Sequence, residues 1–395
     1  MSVKILTVGA GGYGRVYVRA LLDHIDDDKK YEYSGVVDIN IEACPYVEEL
    51  RERGIPIYTT MEEYFAGNKA DLVIISTPIA FHAQQSIFAV EQGACVLCEK
   101  PIAASYADAR MMCDAARRTG KFIAIGYQYA YSRAILELKR DILQGLFGKP
   151  KKLKTLVLFP RGWWYYKRGW AGRIKDSRGN LVLDSVISNA TAHYLHNMLF
   201  IMGDEMHKAV LPYKYSAEIL RANRIENFDT AVLRMETEDG VELMMFASHS
   251  IKKEIRPTFE FQYEKALITF GMGQELTARF YDGRIKVYGN PDKETDMLWK
   301  LWDTIDAVNS GVQLPCVAET AVPHNMIINS LYEHCEIQDV LPELIVEDKE
   351  EGSTIVVGLD ESLINGYNQG RMLSELGNDW INRTDFYIDI ERKSE

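Results

Sequence analysis

No apolar run in the 395 residues approaches the length of a membrane span, and the N-terminus passes straight into a strand-like segment. Neither a membrane partner nor a signal peptide is therefore expected. Surplus positive charge is lacking as well. Lysine and arginine number 45 against 57 acidic residues, a formal charge of −12, which argues against a nucleic-acid surface. Cysteine is sparse, with six scattered residues. Only Cys95 and Cys98 have CxxC spacing, and they sit inside the apolar run ACVLCEKP with no second pair nearby. No metal or redox site is expected of them, and reduced thiols in the cytoplasm are. Low-complexity tracts are missing too, and 47% hydrophobic with 26% charged residues is an ordinary soluble composition. The length suits two domains rather than one core.

What is present begins at residue 3. Residues 3–14 read VKILTVGAGGYG, an apolar run ending in Gly9-x-Gly11-x-x-Gly14, with Gly12 and Tyr13 inside the turn. A second apolar run, YSGVVD, closes on Asp38. Strand, glycine turn, helix, strand and acidic residue follow in the order that binding a dinucleotide requires. Gly9 permits the tight turn, Gly11 lets the backbone approach a pyrophosphate, and Gly14 lets the helix pack on the strand. The helix that starts near Gly12 points unpaired N–H groups at the phosphates. Asp38 is placed for ribose hydroxyls. Ile39 and Asn40 follow it, with no Arg or Lys to receive a 2′-phosphate, so NAD is expected over NADP. A glycine turn used only for packing is the plain alternative.

Apolar runs at 3–9, 31–38, 55–58, 71–77, 94–98 and 121–127 alternate with amphipathic stretches at 12–23, 42–53, 61–66, 82–92 and 105–119. This predicts an α/β domain over residues 1–127, a doubly wound parallel sheet of the Rossmann type. A helix at 132–144 then leads to Gly148–Pro150. Beyond it, KTLVLFP, TAVLRMET, VELMMFASHS, FEFQYEK and ALITFGM alternate or run short between turns such as Asp239–Gly240 and Asp282–Gly283. They predict a large, mostly antiparallel open sheet. Helical periodicity at 189–202, 298–309, 318–335 and 360–376 makes residues 128–395 an α+β substrate-binding and oligomerisation domain, with helices on one sheet face. The other face is left open. An open face finds a partner, so a homodimer or homotetramer is expected.

Three constellations carry chemistry. Ser76-Thr77-Pro78 ends the fourth strand and His82 opens the next helix; in a parallel sheet, ligands lie beyond the strand C-termini. A helix-start histidine packed at the surface is the alternative for His82. Glu99-Lys100-Pro101 ends the fifth strand, where a partly desolvated lysine polarises a carbonyl or alkoxide. Glu99 preserves the lysine's charge or binds the nicotinamide ribose, and a surface ion pair is the alternative. In DSVISNATAHYLHNMLFIMG (184–203), Asn189, His193, His196 and Asn197 recur on one helical side opposite Leu195, Met198, Leu199 and Ile201. His193 is placed to take a hydroxyl proton as hydride leaves. His193 and His196 lack a third ligand, so no metal is expected. Segment 161–180, RGWWYYKRGWAGRIKDSRGN, offers Arg168, Trp170 and Arg173 to a sugar, or folds as a loop over apolar surface. His249 and His324 read as structural histidines.

GAGGYG, Asp38, STP with His82, EKP and the histidine helix together resemble the glucose–fructose oxidoreductase/inositol dehydrogenase/rhizopine-catabolism (Gfo/Idh/MocA) family. The resemblance runs over nearly the whole chain, with EKP its most specific element. It implies NAD(P)-dependent hydride transfer at a secondary carbinol of a sugar, inositol or sugar acid. Lys100 and His193 then correspond to the catalytic lysine and histidine, Asn189 positions the hydroxyl, and His196 joins the substrate residues. Tyr127 and Gln128 would line the nicotinamide pocket. The family usually carries Asp four residues before the histidine, where this chain has Asn189. Asn cannot take a proton, so either His193 works without a carboxylate or Asp184 supplies one from a preceding strand. Two other functions remain open: a redox elimination at a glycosidic bond with tightly held NAD, and a non-catalytic NAD- and sugar-binding protein.

Overall fold

The structure, a computed structural model, describes residues 2–25, 30–271, 273–293 and 297–387. Met272, the last residue of the ALITFGM run, lies outside them. The chain divides into two units, Met1–Tyr131 with Lys293–Asn325, and Ser132–Asp292 with Met326–Glu395.

In the first unit, β1 (Val3–Val8), β2 (Tyr31–Val37), β3 (Ile57–Tyr58), β4 (Leu72–Ile75), β5 (Cys95–Cys98) and β6 (Ile123–Ile125) form one parallel sheet. Its order is β3-β2-β1-β4-β5-β6, which reverses direction beside β1. That reversal opens a crevice at the strand C-termini. The helices are α1 (Gly14–Asp23), α2 (Val47–Glu52), α3 (Met61–Phe65), α4 (His82–Glu91), α5 (Tyr106–Thr119) and α6 (Gln128–Tyr131). All four residues of β4, Leu72 to Ile75, have no solvent exposure. Each contributes about 1.5–3 kcal/mol by burial, which is why an unbroken apolar run rather than an alternating one occupies this central strand.

The second unit is built on β7 (Pro150–Leu158), β8 (Lys214–Arg221), β9 (Thr230–Glu236), β10 (Glu242–Ser248), β11 (Ile255–Tyr263), β12 (Ala266–Gly271), β13 (Gln274–Phe280) and β14 (Ile285–Gly289). Their order is β14-β13-β12-β11-β7-β10-β9-β8, antiparallel except for β7 with β10. One face of this sheet carries α7 (Arg133–Leu143), which packs on β14, and α9 (Ala192–Ile201), which packs on β7. A one-turn helix, α8 (Trp163–Tyr166), interrupts the aromatic loop.

After β14 the chain returns to the first unit as α10 (Trp299–Ser310), which packs on β1, β5 and α6. The expected boundary between residues 127 and 128 therefore has to be corrected. Residues up to 131, and 293–325, fold with the parallel sheet. The cause is visible in α10, whose buried residues Lys300, Leu301, Thr304, Ile305 and Ala307 form the stripe that needs this surface. Helix α11 (Ala318–His334) contains the third division point, between Asn325 and Met326.

The last segment overturns a second expectation. Following β15 (Gln338–Asp339), β16 (Ile345–Asp348) and β17 (Ser353–Val356), α12 (Leu359–Gln369) lies on β7 and β10. The segment ends in β18 (Thr384–Tyr387), which pairs with β8. Leu359, Leu363, Tyr367, Met372, Leu373 and Ile381 join Leu156, Leu158, Val232, Met244 and Phe246 in one apolar cluster. Buried Glu218 accepts from Leu373 N, Ser374 N and Ser374 Oγ, and Arg234 forms two 2.7 Å bonds to Glu375. The sheet face expected to stay open for a second copy is thus covered, over β7 to β10, by the chain itself. Among the described residues no helix is long and apolar enough to cross a membrane. The six cysteines form no disulfide, and all but Cys335 are buried.

Candidate active site

The glycine turn joins β1 to α1 at the sheet's reversal point. Gly9 has φ 87°, and a Cβ there would stand 3.0 Å from the Ser76 carbonyl group at the end of β4. A Cβ on Gly14 would lie 2.0 Å from Gly9 O and 2.6 Å from Ser76 Oγ. Both positions therefore demand glycine. Ser76 Oγ closes the arrangement by donating to Gly9 O at 2.9 Å. Helix α1 starts at Gly14, two residues later than the expected start near Gly12. Over Gly11 and Gly12, by contrast, a Cβ would meet nothing within 4 Å. Open space beside a helix N-terminus is what a pyrophosphate needs, so these residues fit a dinucleotide. Asp38 accepts 2.7 Å bonds from Ala10 N and Asn40 N, one on each oxygen. Each oxygen keeps a lone pair for a ribose hydroxyl.

The end of β5 is more deeply built than the sequence suggests. Glu99 is 7% exposed, and its Oε1 accepts from Tyr17 OH at 2.5 Å and from Lys300 Nζ of α10. Lys300, 1% exposed, also reaches Gly126 O at 3.3 Å and stands 4.6 Å from the ring centre of Tyr13 in the glycine turn. Burial alone would raise the Glu99 carboxyl, but the charge and hydrogen bond of Lys300 and the bond from Tyr17 outweigh it and hold it below its ordinary value. Burial pulls the Lys300 ammonium down, and Glu99 with Tyr13 more than restores it. The pair is charged, and it ties the dinucleotide turn, β5 and the end of β6 together. Glu99 was expected to serve Lys100 or the ribose; its side-chain ion pair is with Lys300 of α10, and the Lys100 backbone N–H donates to its other oxygen at 3.3 Å.

His82 also needs correction. It is 1% exposed, with Nδ1 2.8 Å from Pro101 O and Nε2 2.9 Å from Thr77 O. Burial lowers its pKa against the pull of these two carbonyls. Its ring therefore staples the Ser76-Thr77-Pro78 turn to the Lys100-Pro101 turn and leaves no edge for a cofactor. Thr77 Oγ1 bonds Gln85 Oε1 at 2.5 Å, while Pro78 is exposed and Gln128 half-buried at the start of α6. Tyr127, expected beside the nicotinamide, is wholly buried with its OH 3.0 Å from His324 Nδ1. Lys100 is half-buried.

In the second unit the continuous helix expected over 189–202 is broken. Val186–Ala190 forms a wider π turn, closed by Thr191 N to Val186 O, and α9 starts only at Ala192. Ser185 and Ser188 cap it reciprocally. Leu183 precedes the turn with φ 50°, a strained conformation for leucine, held by bonds to its carbonyl from Ser188 Oγ and Tyr332 OH. The backbone here aims Asp184, which lies in an irregular segment rather than the expected strand. Asp184 accepts from Asn189 Nδ2 at 2.7 Å and from Gly172 N at 2.7 Å. The carboxylate missing at 189 thus stands beside it, five residues earlier. His193 and Asn189 are half-buried, but His196 and Asn197 have 0% and 1% exposure. His196 stacks on Phe200 at 6.0 Å and lies in the core rather than among the substrate residues. Arg168 and Arg173 are exposed and Trp170 is half-buried. His249 is interior, its Nδ1 2.7 Å from Phe159 O and its pKa driven to about 3 by burial.

The match to known proteins follows this geometry. The model of an oxidoreductase family with an NAD-binding Rossmann fold, Gfo/Idh/MocA, covers residues 3–127. These residues belong to the Gfo/Idh/MocA family. The chain is 29% identical over 154 residues to 1,5-anhydro-D-fructose reductase of Ensifer adhaerens, 38% of this chain and 44% of that protein. It is 23% identical over 241 residues to inositol 2-dehydrogenase of Klebsiella pneumoniae, 61% of this chain and 65% of that protein. These alignments span less than two thirds of either relative. An oxidoreductase of Agrobacterium radiobacter, solved with NAD+, L-tartaric acid and magnesium, has the same fold, with TM-score 0.70 over 91% of this chain and 99% of that one at 16% identity.

Lys300, Tyr17 and the Asp184–Asn189 bond escaped the sequence reading of this Gfo/Idh/MocA domain and its companion. One signal for Lys300 existed. It is a lysine inside the apolar stripe of an amphipathic helix, where a cation needs a buried partner.

Proposed function

We propose that the protein is an NAD-dependent oxidoreductase that interconverts a secondary alcohol and a ketone on a sugar or polyol. The observation that carries this reading is the linkage through Lys300, which joins Tyr13 of the dinucleotide turn to Glu99 beside Lys100. The lysine of EKP is thereby anchored to the cofactor turn. Asp38, with no cation after it, supports NAD over NADP. The relatives' names, a sugar reductase and an inositol dehydrogenase, support the substrate class.

The dinucleotide, when bound, supplies the hydride acceptor. On the protein's side, His193 takes the hydroxyl proton on an imidazole nitrogen, acting as general base. The Lys100 ammonium stabilises the alkoxide that forms as the proton leaves. Asn189, its amide NH2 held by Asp184, presents its carbonyl oxygen as an acceptor for the substrate hydroxyl. Six cysteines with no disulfide among them suit the cytoplasm.

The test is a panel of hexoses, inositols and sugar acids offered with NAD or NADP while NADH absorbance is followed. Turnover with NAD on at least one member is the expected result. Tight NAD binding with no reduced cofactor from any member would favour a redox elimination or a binding protein instead.

A further inference from the structure

The chain is acidic overall, yet residues 161–180 hold six basic side chains and one acid, Asp176. Two of these cations are placed by aromatic rings. The Arg161 guanidinium lies 5.5 Å from the Phe159 ring centre and 5.2 Å from that of Tyr165. Arg168 lies 4.9 Å from the same Tyr165 ring, and 5.6 Å and 5.8 Å from those of Trp164 and Trp170. Cation–π contacts of this kind hold a guanidinium in place and leave its N–H groups to act as a fork. Two cations sharing one ring repel each other, and among the described residues neither is recorded in an ion pair with a carboxylate. Arg161 Nε is buried and meets no hydrogen-bond acceptor. A charged donor left unmet in this way is costly, and an anion that supplies the acceptor removes the cost.

The surroundings connect this pair to the residues already assigned. Phe159, under Arg161, packs on Tyr194 at 6.2 Å, and Tyr194 contacts His193 at 6.3 Å. The loop bearing Arg168 is tied through Gly172 N to Asp184, whose other oxygen holds Asn189. Asp184 is therefore engaged by donors of its own.

We propose that Arg161 and Arg168 form an oxyanion-binding subsite, and that the preferred substrate is a sugar carrying a carboxylate or a phosphate rather than a neutral polyol. Both groups present the oxygen pair that a guanidinium fork recognises. The basic segment, set in an acidic protein, also steers such a ligand toward the site. Turnover of that substrate rests on the oxidoreductase reading above; its binding does not.

Calorimetric titration of the NADH-loaded protein with glucose, glucuronate and glucose phosphate tests this. At least one anion should bind about tenfold or more tighter than glucose, and added salt should weaken it. The tighter of the two anions identifies the group. Arg161→Gln and Arg168→Gln should each weaken that anion by about tenfold to a hundredfold, with NADH binding retained as evidence of an intact fold. Arg168 is exposed, so its variant gives the reading even if Arg161→Gln fails to fold. Glucose binding as tightly as both anions would overturn the proposal. So would an anion preference that survives in the Arg161→Gln, Arg168→Gln double variant. Arginine-dependent anion binding without any NADH formation would leave this subsite standing and remove the oxidoreductase reading.

Discussion

Glu99 and Arg161 are both charged groups packed among aromatic rings, but their charges are met differently. Glu99 finds Lys300 and Tyr17 within its own unit, and the result is a closed, balanced cluster under the dinucleotide turn. Arg161 and Arg168 share Tyr165, and Arg161 keeps a buried N–H without an acceptor. The first arrangement is complete as a scaffold, whereas the second is complete only with an anion. Scaffold charges should therefore reveal themselves in stability, and ligand-facing charges in binding.

The largest effect expected from breaking this contrast is Lys300→Met. It leaves a buried carboxylate unpaired and should cost about 3–5 kcal/mol of stability, measured by chemical denaturation. Adding Glu99→Gln should recover most of the loss; no recovery would mean that Lys300 stabilises by packing alone. The sign with pH follows from the two shifts. Glu99 is held below its ordinary 4.5 and Lys300 above its ordinary 10.5. The pair's contribution is complete between those values. It is lost as pH falls through the lowered Glu99 value or rises through the raised Lys300 value. The deficit of Lys300→Met should accordingly shrink in acid, where Glu99 is neutral in both proteins.

Asn189→Asp comes next. It restores the residue usual in the resembling family, yet here it sets a second carboxylate 2.7 Å from Asp184 in place of an amide. Like charges so close share one proton, so the variant should lose roughly 1–3 kcal/mol near neutral pH and regain it as pH falls. A variant as stable and active as the parent would show that Asp184 does not hold position 189. The smallest effect is expected at Asp38→Ser, which removes repulsion of a 2′-phosphate. The ratio of NAD to NADP affinity should fall by about tenfold, or about 1.4 kcal/mol, with little change in thermal stability.

The parallel sheet was legible in the sequence because its central strands β4 and β5 are unbroken apolar runs, because strand and helix patterns alternate along the unit, and because Gly9 and Gly14 leave no room for any other residue. Lys100 and His193 were legible as motif positions. What was hidden depended on contacts remote in the chain. Lys300 lies 201 residues from Glu99, and nothing local marks that partner. The phase between Asn189 and the α9 histidines was misread because a π turn, invisible to 3.6-residue periodicity, lies between them. The covered sheet face was missed for a similar reason. Leu359, Leu363 and Tyr367 read as one more amphipathic helix, and the surface such a helix seeks is written in β7 and β10.

The central claim is that Lys100 acts on the reacting substrate and the glycine turn holds the cofactor, so one substitution should separate turnover from binding. Lys100→Met, titrated with NADH by fluorescence and assayed on the best substrate of the panel, should bind the cofactor within a few-fold of the parent while turnover falls roughly 10²–10⁴-fold. Parental turnover in that variant, or a loss of NADH binding that accounts for the whole effect, would contradict it.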